Sequence, residues 1–194
     1  MKIEFIFPHC NARTYQLISA ISCLCVQNDP NWTLNVVSDG ETSDIAKIQD
    51  IFKSFENIRY TTLEKNYKDW GHTPRNVGVQ MCEQEWVVMT GNDNYYVPYF
   101  VKKVRDEIIK NNELNFLYCD MLHNAYEYKF FECSPVTHRI DMGNMITRTK
   151  LTKEIPLDVT KLDADGFFVR EYTNRYCTNQ NQIKKIDSVL YVHN

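Results

Sequence analysis

The chain has 194 residues, 43% of them hydrophobic and 24% charged, enough to bury one good core, so a single domain is expected. Its 22 Lys and Arg stand against 25 Asp and Glu for a net charge of -3, which offers no basic field for holding nucleic acid or an anionic membrane. No stretch approaches the ~18 uninterrupted apolar residues of a membrane span, and the seven scattered cysteines, with no C-x-x-C pair, read as reduced thiols in a cytoplasmic setting rather than a disulfide framework or zinc site.

Met1 to Phe7 runs directly into a strand-like apolar stretch containing Glu4, unlike a signal peptide. Residues 3 to 7 predict a strand stopped by Pro8. From Ala12 to Gln27, Leu17, Ile18, Ile21, Leu24 and Cys25 share one helical face, and Asn28-Asp29-Pro30-Asn31 ends that helix. Thr33 to Val37 is a second strand, closed by Ser38-Asp39-Gly40. Ser43 is expected to cap the next helix, with Ile45, Ile48, Ile51, Phe52 and Phe55 inward and Asp44 in its first turn. A third strand lies around Ile58 to Thr62. Pro74 marks the next helix start, with Val77, Met81 and Cys82 as its buried face. Trp86 to Met89 is a strand followed by Gly91-Asn92-Asp93-Asn94, and a helix from Pro98 to Lys110 turns Phe100, Val101, Val104 and Ile108 inward.

Strand and helix thus alternate four times over residues 1 to 110, which calls for a parallel sheet covered on both faces. The remainder reads as a strand near Phe116 to Cys119, a polar and aromatic stretch through Phe131, a helix from about Gly166 to Cys177 and a final strand from Ile186 to Val192. It is expected to extend the same sheet, residues 1 to 110 forming a first half and 111 to 194 a second half of one domain.

In open parallel sheets, ligands sit beyond the carboxyl ends of the strands. The polar clusters Pro8 to Asn11, Asp39 and Asn92 to Asn94 all fall at such ends. Neither G-x-G-x-x-G nor G-x-x-x-x-G-K occurs, so the anionic part of a nucleotide would need a cation held by carboxylates.

The order Pro8-His9-Cys10-Asn11, then Ser38-Asp39-Gly40 with Asp44, then Arg75-Asn76-Val77-Gly78, then Asn92-Asp93-Asn94 to Pro98 resembles the inverting GT-A glycosyltransferases of family two. Gly143-Asn144, Asp163-Ala164-Asp165-Gly166 and Leu190 to Asn194 extend the resemblance over nearly the whole chain. It implies a GT-A-like α/β fold with a mostly parallel central sheet flanked by helices. It also implies transfer of a sugar, with inversion, from a nucleotide-sugar donor, a UDP-sugar first, to a glycan or other hydroxyl acceptor.

By the same resemblance Asp39 would bind the base, Pro8 and Asn11 would line the base and ribose pocket, and Arg75, Asn76 and Asn92 would lie along the nucleotide. Asp93 and His193 would hold Mn2+ or Mg2+, and Gly143-Asn144 would lie on the acceptor side. Asp165 would be the catalytic base, with Asp163 as second choice. The family's D-x-D signature usually carries an acid where Gly91 stands, or in some members at Asn92, so Asp93 is the only carboxylate of the motif here.

Local readings stand beside these. Asp39-Gly40 is also a common turn, Asp163 and Asp165 suit the cap of the following helix, and Arg75 suits a surface. Tyr95, Tyr96, Tyr99 and Phe100 divide between core and a platform for sugar rings. A non-enzymatic nucleotide- or glycan-binding module on the same fold is the rival function, favoured by the missing acids at 91 and 92. A nucleotidyltransferase ranks last, since Pro8 to Arg13 contains no glycine.

Overall fold

The computed structural model describes residues 1–10 and 13–194. In chain order it contains β1 (Ile3–His9), α1 (Thr14–Cys25), β2 (Trp32–Ser38), α2 (Ile45–Ile51), β3 (Ile58–Thr62), α3 (His72–Met81), β4 (Trp86–Met89), β5 (Tyr95–Tyr96) and α4 (Phe100–Lys110). There follow β6 (Phe116–His123), β7 (Lys129–Phe131), β8 (Met145–Arg148), α5 (Thr149–Thr152), α6 (Ala164–Tyr176) and β9 (Ile183–His193).

Strands β3, β2, β1 and β4 are mutually parallel, as the alternating pattern predicts. The sheet then continues through β8, β6, β9 and β5, with β7 added alongside β6. Here the expected mostly parallel sheet needs correction: β8 is antiparallel to β4 and β6, β7 to β6, and β5 to β9, while β9 is parallel to β6. The cause is an unread strand. Met145-Ile146-Thr147-Arg148 is too short for a period to show and runs directly into α5.

The two crossings of direction leave one edge of the sheet chemically rich. His9, Ser38 and Met89 end β1, β2 and β4 there, and His123 and His193 end β6 and β9 on the same side. Because β8 runs the opposite way, the turn Met142–Asn144 that precedes it lies on that edge too.

Alternation along β1 sends Ile3, Phe5 and Phe7 to one core and Ile6 to the other. The first core is closed by Leu17, Ala20, Ile21 and Leu24 of α1 and by the four inward residues of α4. The second is closed by Val79 of α3 and by Phe168, Val169 and Tyr172 of α6. Both faces of β1 are covered, which explains why the strand is buried almost throughout, Glu4 included. Within β9 the pairing slips: Cys119 opposes Ile186, Asp120 opposes Val189 and Met121 opposes Tyr191.

Three local expectations change. Asp44, not Ser43, occupies the N-cap of α2, and Ile51 is 47% exposed because the helix ends there and Phe52 turns inward. Helix α3 begins before Pro74, at His72, where the Asp69 carboxylate accepts from Thr73 N at 2.9 Å. Met81 is 43% exposed, the buried face of α3 being Pro74, Gly78 and Val79.

Candidate active site

A cleft of about 400 Å³ opens along this edge, lined among others by Pro8, Asp39, Trp70, Arg75, Asn92 and Asp93. A second hollow of about 420 Å³ adjoins it and shares Cys10, Asp39 and Asn66. Five of the expected donor residues are therefore together; Asn11 lies outside the described residues.

Asp39 is buried, its N–H donating to His9 O at 2.8 Å and its Oδ1 accepting from Tyr67 N at 2.9 Å. Gly40 follows at φ +84°, a conformation side chains resist, and an added Cβ would stand 2.7 Å from Asn66 N. Across the cleft floor, His9 Nε2 meets both Asp44 oxygens at 3.1 and 3.2 Å, and His9 Nδ1 lies 3.5 Å from Asn92 Nδ2. Burial works to raise the Asp44 carboxyl, but hydrogen bonds from Thr14 and His9 outweigh it and hold the group below 3.8.

Arg75 donates from Nε to Thr90 O at 3.1 Å and from a terminal nitrogen to Trp70 O at 2.9 Å. It thereby ties the loop before α3 to the end of β4. Its neighbour Asn76 is turned elsewhere: the amide donates to Leu157 O at 3.0 Å and accepts from Leu157 N at 2.8 Å, pinning α3 to the chain before α6. Asn76 is thus placed as a brace rather than along the cleft.

Asp93 lines the cleft in an ion pair with Arg13. His193 lies beside this loop, since Tyr95 pairs with Val192 and Asn194 N donates to Asn94 Oδ1 at 3.0 Å. Its ring stacks on His123 with centroids 4.3 Å apart, and its Nε2 stands 3.4 Å from Asp141 Oδ2. Among the described residues no three His, Cys, Asp or Glu side chains converge on a metal position. The donor set still fits magnesium-type chemistry, in which one or two protein ligands suffice and phosphates and water complete the shell.

Asp141 was missed in the sequence. It accepts from Gly143 N at 2.8 Å and Tyr191 Oη at 2.5 Å, and Asp141 N donates to Asn144 Oδ1 at 3.0 Å, a capping box around the Met142–Asn144 turn. The D-x-x-N spacing at 141 to 144 was the available signal. Asn144 is fully buried and also donates to Cys119 O at 2.7 Å, so it holds the turn from inside. Gly143 packs under Tyr191, where a Cβ would come within 2.4 Å of the phenol oxygen.

Burial would raise Asp141, yet His193, Tyr191 and the Gly143 N–H keep it below 3.8. Burial would lower His193, yet Asp141 and, further off, Asp165 raise it above 6.5. Asp165, in the first turn of α6, is raised above 3.8 by burial and by the Asp141 charge, against the Gly166 N–H that donates to it at 2.7 Å. Asp163 is exposed at the N-cap with no side-chain cap bond. Burial lowers the Arg75 guanidinium below its ordinary value although Asp141, Asp165 and Asp69 oppose it, which places these acids in one electrostatic neighbourhood with the cleft.

The family model for glycosyl transferase family 2 matches residues 5–171. The chain belongs to glycosyl transferase family 2. It is 22% identical over 151 residues to an uncharacterized glycosyltransferase of Haemophilus influenzae, covering 74% of this chain and 49% of the relative. An uncharacterized glycosyltransferase of Rickettsia felis is 25% identical over 126 residues, 65% of this chain and 19% of its own length. The chain thus spans about half or less of these relatives.

Among solved structures, S. aureus TarS 1-349 in complex with UDP superposes with a TM-score of 0.79 at 21% identity, covering 99% of this chain and 60% of that 1-349 chain. The TarS complex with UDP-GlcNAc gives 0.80 at 20% identity, with 99% and 58% covered. The mannosyltransferase PcManGT from Pyrobaculum calidifontis, in complex with GDP-Man and Mn2+, gives 0.74 at 10% identity, with 99% and 56% covered. These likenesses establish the GT-A fold of this family 2 chain.

Proposed function

We propose that this family 2 chain transfers a sugar from a nucleotide-sugar donor, a UDP-sugar first, to a hydroxyl acceptor with inversion. The observation that carries the reading is the common edge: buried Asp39 and partly buried Asp93 line the cleft together with Arg75, and Asp165, its carboxyl pushed up, lies in the electrostatic neighbourhood of Arg75 and Asp141. The donor would take residues 1 to 110 and the acceptor residues 111 to 194.

Asp165 would accept the proton of the acceptor hydroxyl as that oxygen attacks the anomeric carbon in line with the departing diphosphate, so one displacement inverts the centre. A carboxyl raised by burial and by the Asp141 charge is the better base for this, because its carboxylate holds an incoming proton more tightly. Asp163, two residues earlier and exposed, is the second choice. Arg75 would hold the Trp70 loop against β4 so that the donor side keeps its shape.

Asp93 would hold a divalent ion, Mn2+ or Mg2+, with His193 as the neighbouring nitrogen donor. The PcManGT complex with GDP-Man and Mn2+ supports such use. When bound, the ion would supply neutralisation of charge on the diphosphate. Among the described residues no helix is long and apolar enough to cross a membrane. The unpaired thiols, buried Cys82, Cys119 and Cys133 among them, favour a reducing, cytoplasmic compartment.

A thermal-shift series with UDP, GDP and their sugars, with and without Mn2+, tests the reading, since a ligand of the folded state raises Tm by mass action. Stabilisation by UDP together with release of UDP from a UDP-sugar supports it. Stabilisation without turnover for any donor favours the binding module, to which Gly91 and Asn92 already lean.

A further inference from the structure

Position 13 carries a charge for which the expected donor contacts have no role. Arg13 lines the cleft, its side chain 49% exposed, and its guanidinium pairs with Asp93, whose side chain is 18% exposed. Arg75 also lines the cleft, but its Nε and one terminal nitrogen are spent on the carbonyls of Thr90 and Trp70. Arg13 is therefore the guanidinium whose partner is itself a cleft-lining carboxylate.

The loop that carries Asp93 is folded to suit this pairing. An added Cβ at Gly91 would meet Asp93 Oδ1 at 2.6 Å and Asn94 Nδ2 at 2.8 Å. The Asp93 carboxylate thus fills the room from which an acid at 91 would project, and the loop brings one negative charge where two would otherwise stand. Arg13 is the cation paired with that charge.

A half-exposed ion pair contributes little, so exchanging its partner costs little. A diphosphate presents more charge than a carboxylate and accepts the planar guanidinium fork in a bidentate manner. We propose that Arg13 exchanges partners on donor binding, leaving Asp93 for the diphosphate of the nucleotide, so that Arg13 carries diphosphate recognition in the absence of a metal ion while Asp93 opposes it.

This rests on the nucleotide-sugar reading, and the test separates the two. Calorimetry on the full chain would titrate uridine and UDP in EDTA and in Mn2+. Arg13→Ala should weaken UDP in EDTA by roughly tenfold or more, the usual weight of a charged hydrogen bond, and leave uridine unchanged. Asp93→Asn should strengthen UDP in EDTA by about threefold or more, because it removes both the competitor for Arg13 and a like charge facing the phosphates. In the Arg13→Ala/Asp93→Asn double variant that gain should shrink, which a double-mutant cycle reads directly. Thermal melts of each variant confirm that it folds.

Wild-type affinity for UDP in Arg13→Ala, or loss rather than gain in Asp93→Asn in EDTA, overturns the exchange and leaves the donor reading intact. If wild type binds neither uridine, UDP nor GDP with or without Mn2+, the donor reading falls and the exchange falls with it.

Discussion

Asp141 Oδ2 and His193 Nε2 stand 3.4 Å apart, joining the turn that enters β8 to the last residue of β9. The contact links two segments 52 positions apart at the working edge of the sheet. Neither partner stands alone: Asp141 also caps its own turn, and His193 also stacks on His123.

The pair gives stability a pH signature. His193 is raised above 6.5, so its contribution is complete below the unfolded value and is lost as pH climbs through the folded one. Asp141 is lowered below 3.8, so its contribution is present above that value and lost as pH falls through the folded one. His193→Gln should therefore cost roughly 0.5 to 1 kcal/mol near about pH 6 and distinctly less near about pH 8.5. Denaturant melts at both pH values measure it, and equal losses would detach His193 from Asp141.

Asp165→Asn keeps shape but cannot take a proton, so turnover should fall about 10²- to 10⁴-fold while UDP-sugar affinity moves less than about threefold. Because the carboxyl is raised above 3.8, the acid limb of the wild-type rate should lie above that value as well. Single-turnover assays on Asp165→Asn and Asp163→Asn decide the base: loss in the second alone moves the role two residues upstream.

Asp39→Ala should weaken UDP by about 1 to 3 kcal/mol through a lost charged hydrogen bond. The same carboxylate accepts from Tyr67 N, so unchanged affinity would return it to holding the loop before α3. Titration of uridine and UDP against both proteins measures this.

Gly78 lets α3 lie against β1: a Cβ there would come 2.4 Å from Ile6 Cγ2. Gly78→Ala should destabilise the fold by about 1 to 3 kcal/mol through overpacking. Adding Ile6→Ala removes the opposing atoms, so the double variant should lose less than the two single losses together, in urea melts. Strict additivity would mean that the helix shifts away instead.

Apart from β5, the elements of the first 110 residues were legible, because their helices are long enough for a period to show and their strands stand between those helices. Phe100, Val101, Val104 and Ile108 all point inward as read. Four-residue β8, three-residue β7 and two-residue β5 carry no period, and their places depend on partners distant in the chain. In the cleft, Pro8, Asp39, Arg75, Asn92 and Asp93 come together. Asn76 and Asn144 face backbone groups at positions 157 and 119, contacts that no local pattern announces. Asp141 was hidden for another reason: its partners Tyr191 and His193 arrive only when β9 completes the sheet.

The slipped pairing of β9 has a consequence for parity. Asp187, Ser188 and Leu190 have no opposite number on β6, and an odd surplus reverses which face the later residues present. His193 owes its side of the sheet to that count. Removing one of these residues would rotate the end of the strand by half a turn and aim the imidazole away from Asp141, whereas removing two would restore its aim. Segment 187–190 thus acts as a phase setter for the end of β9, and chain length there should prove less tolerant than side-chain identity.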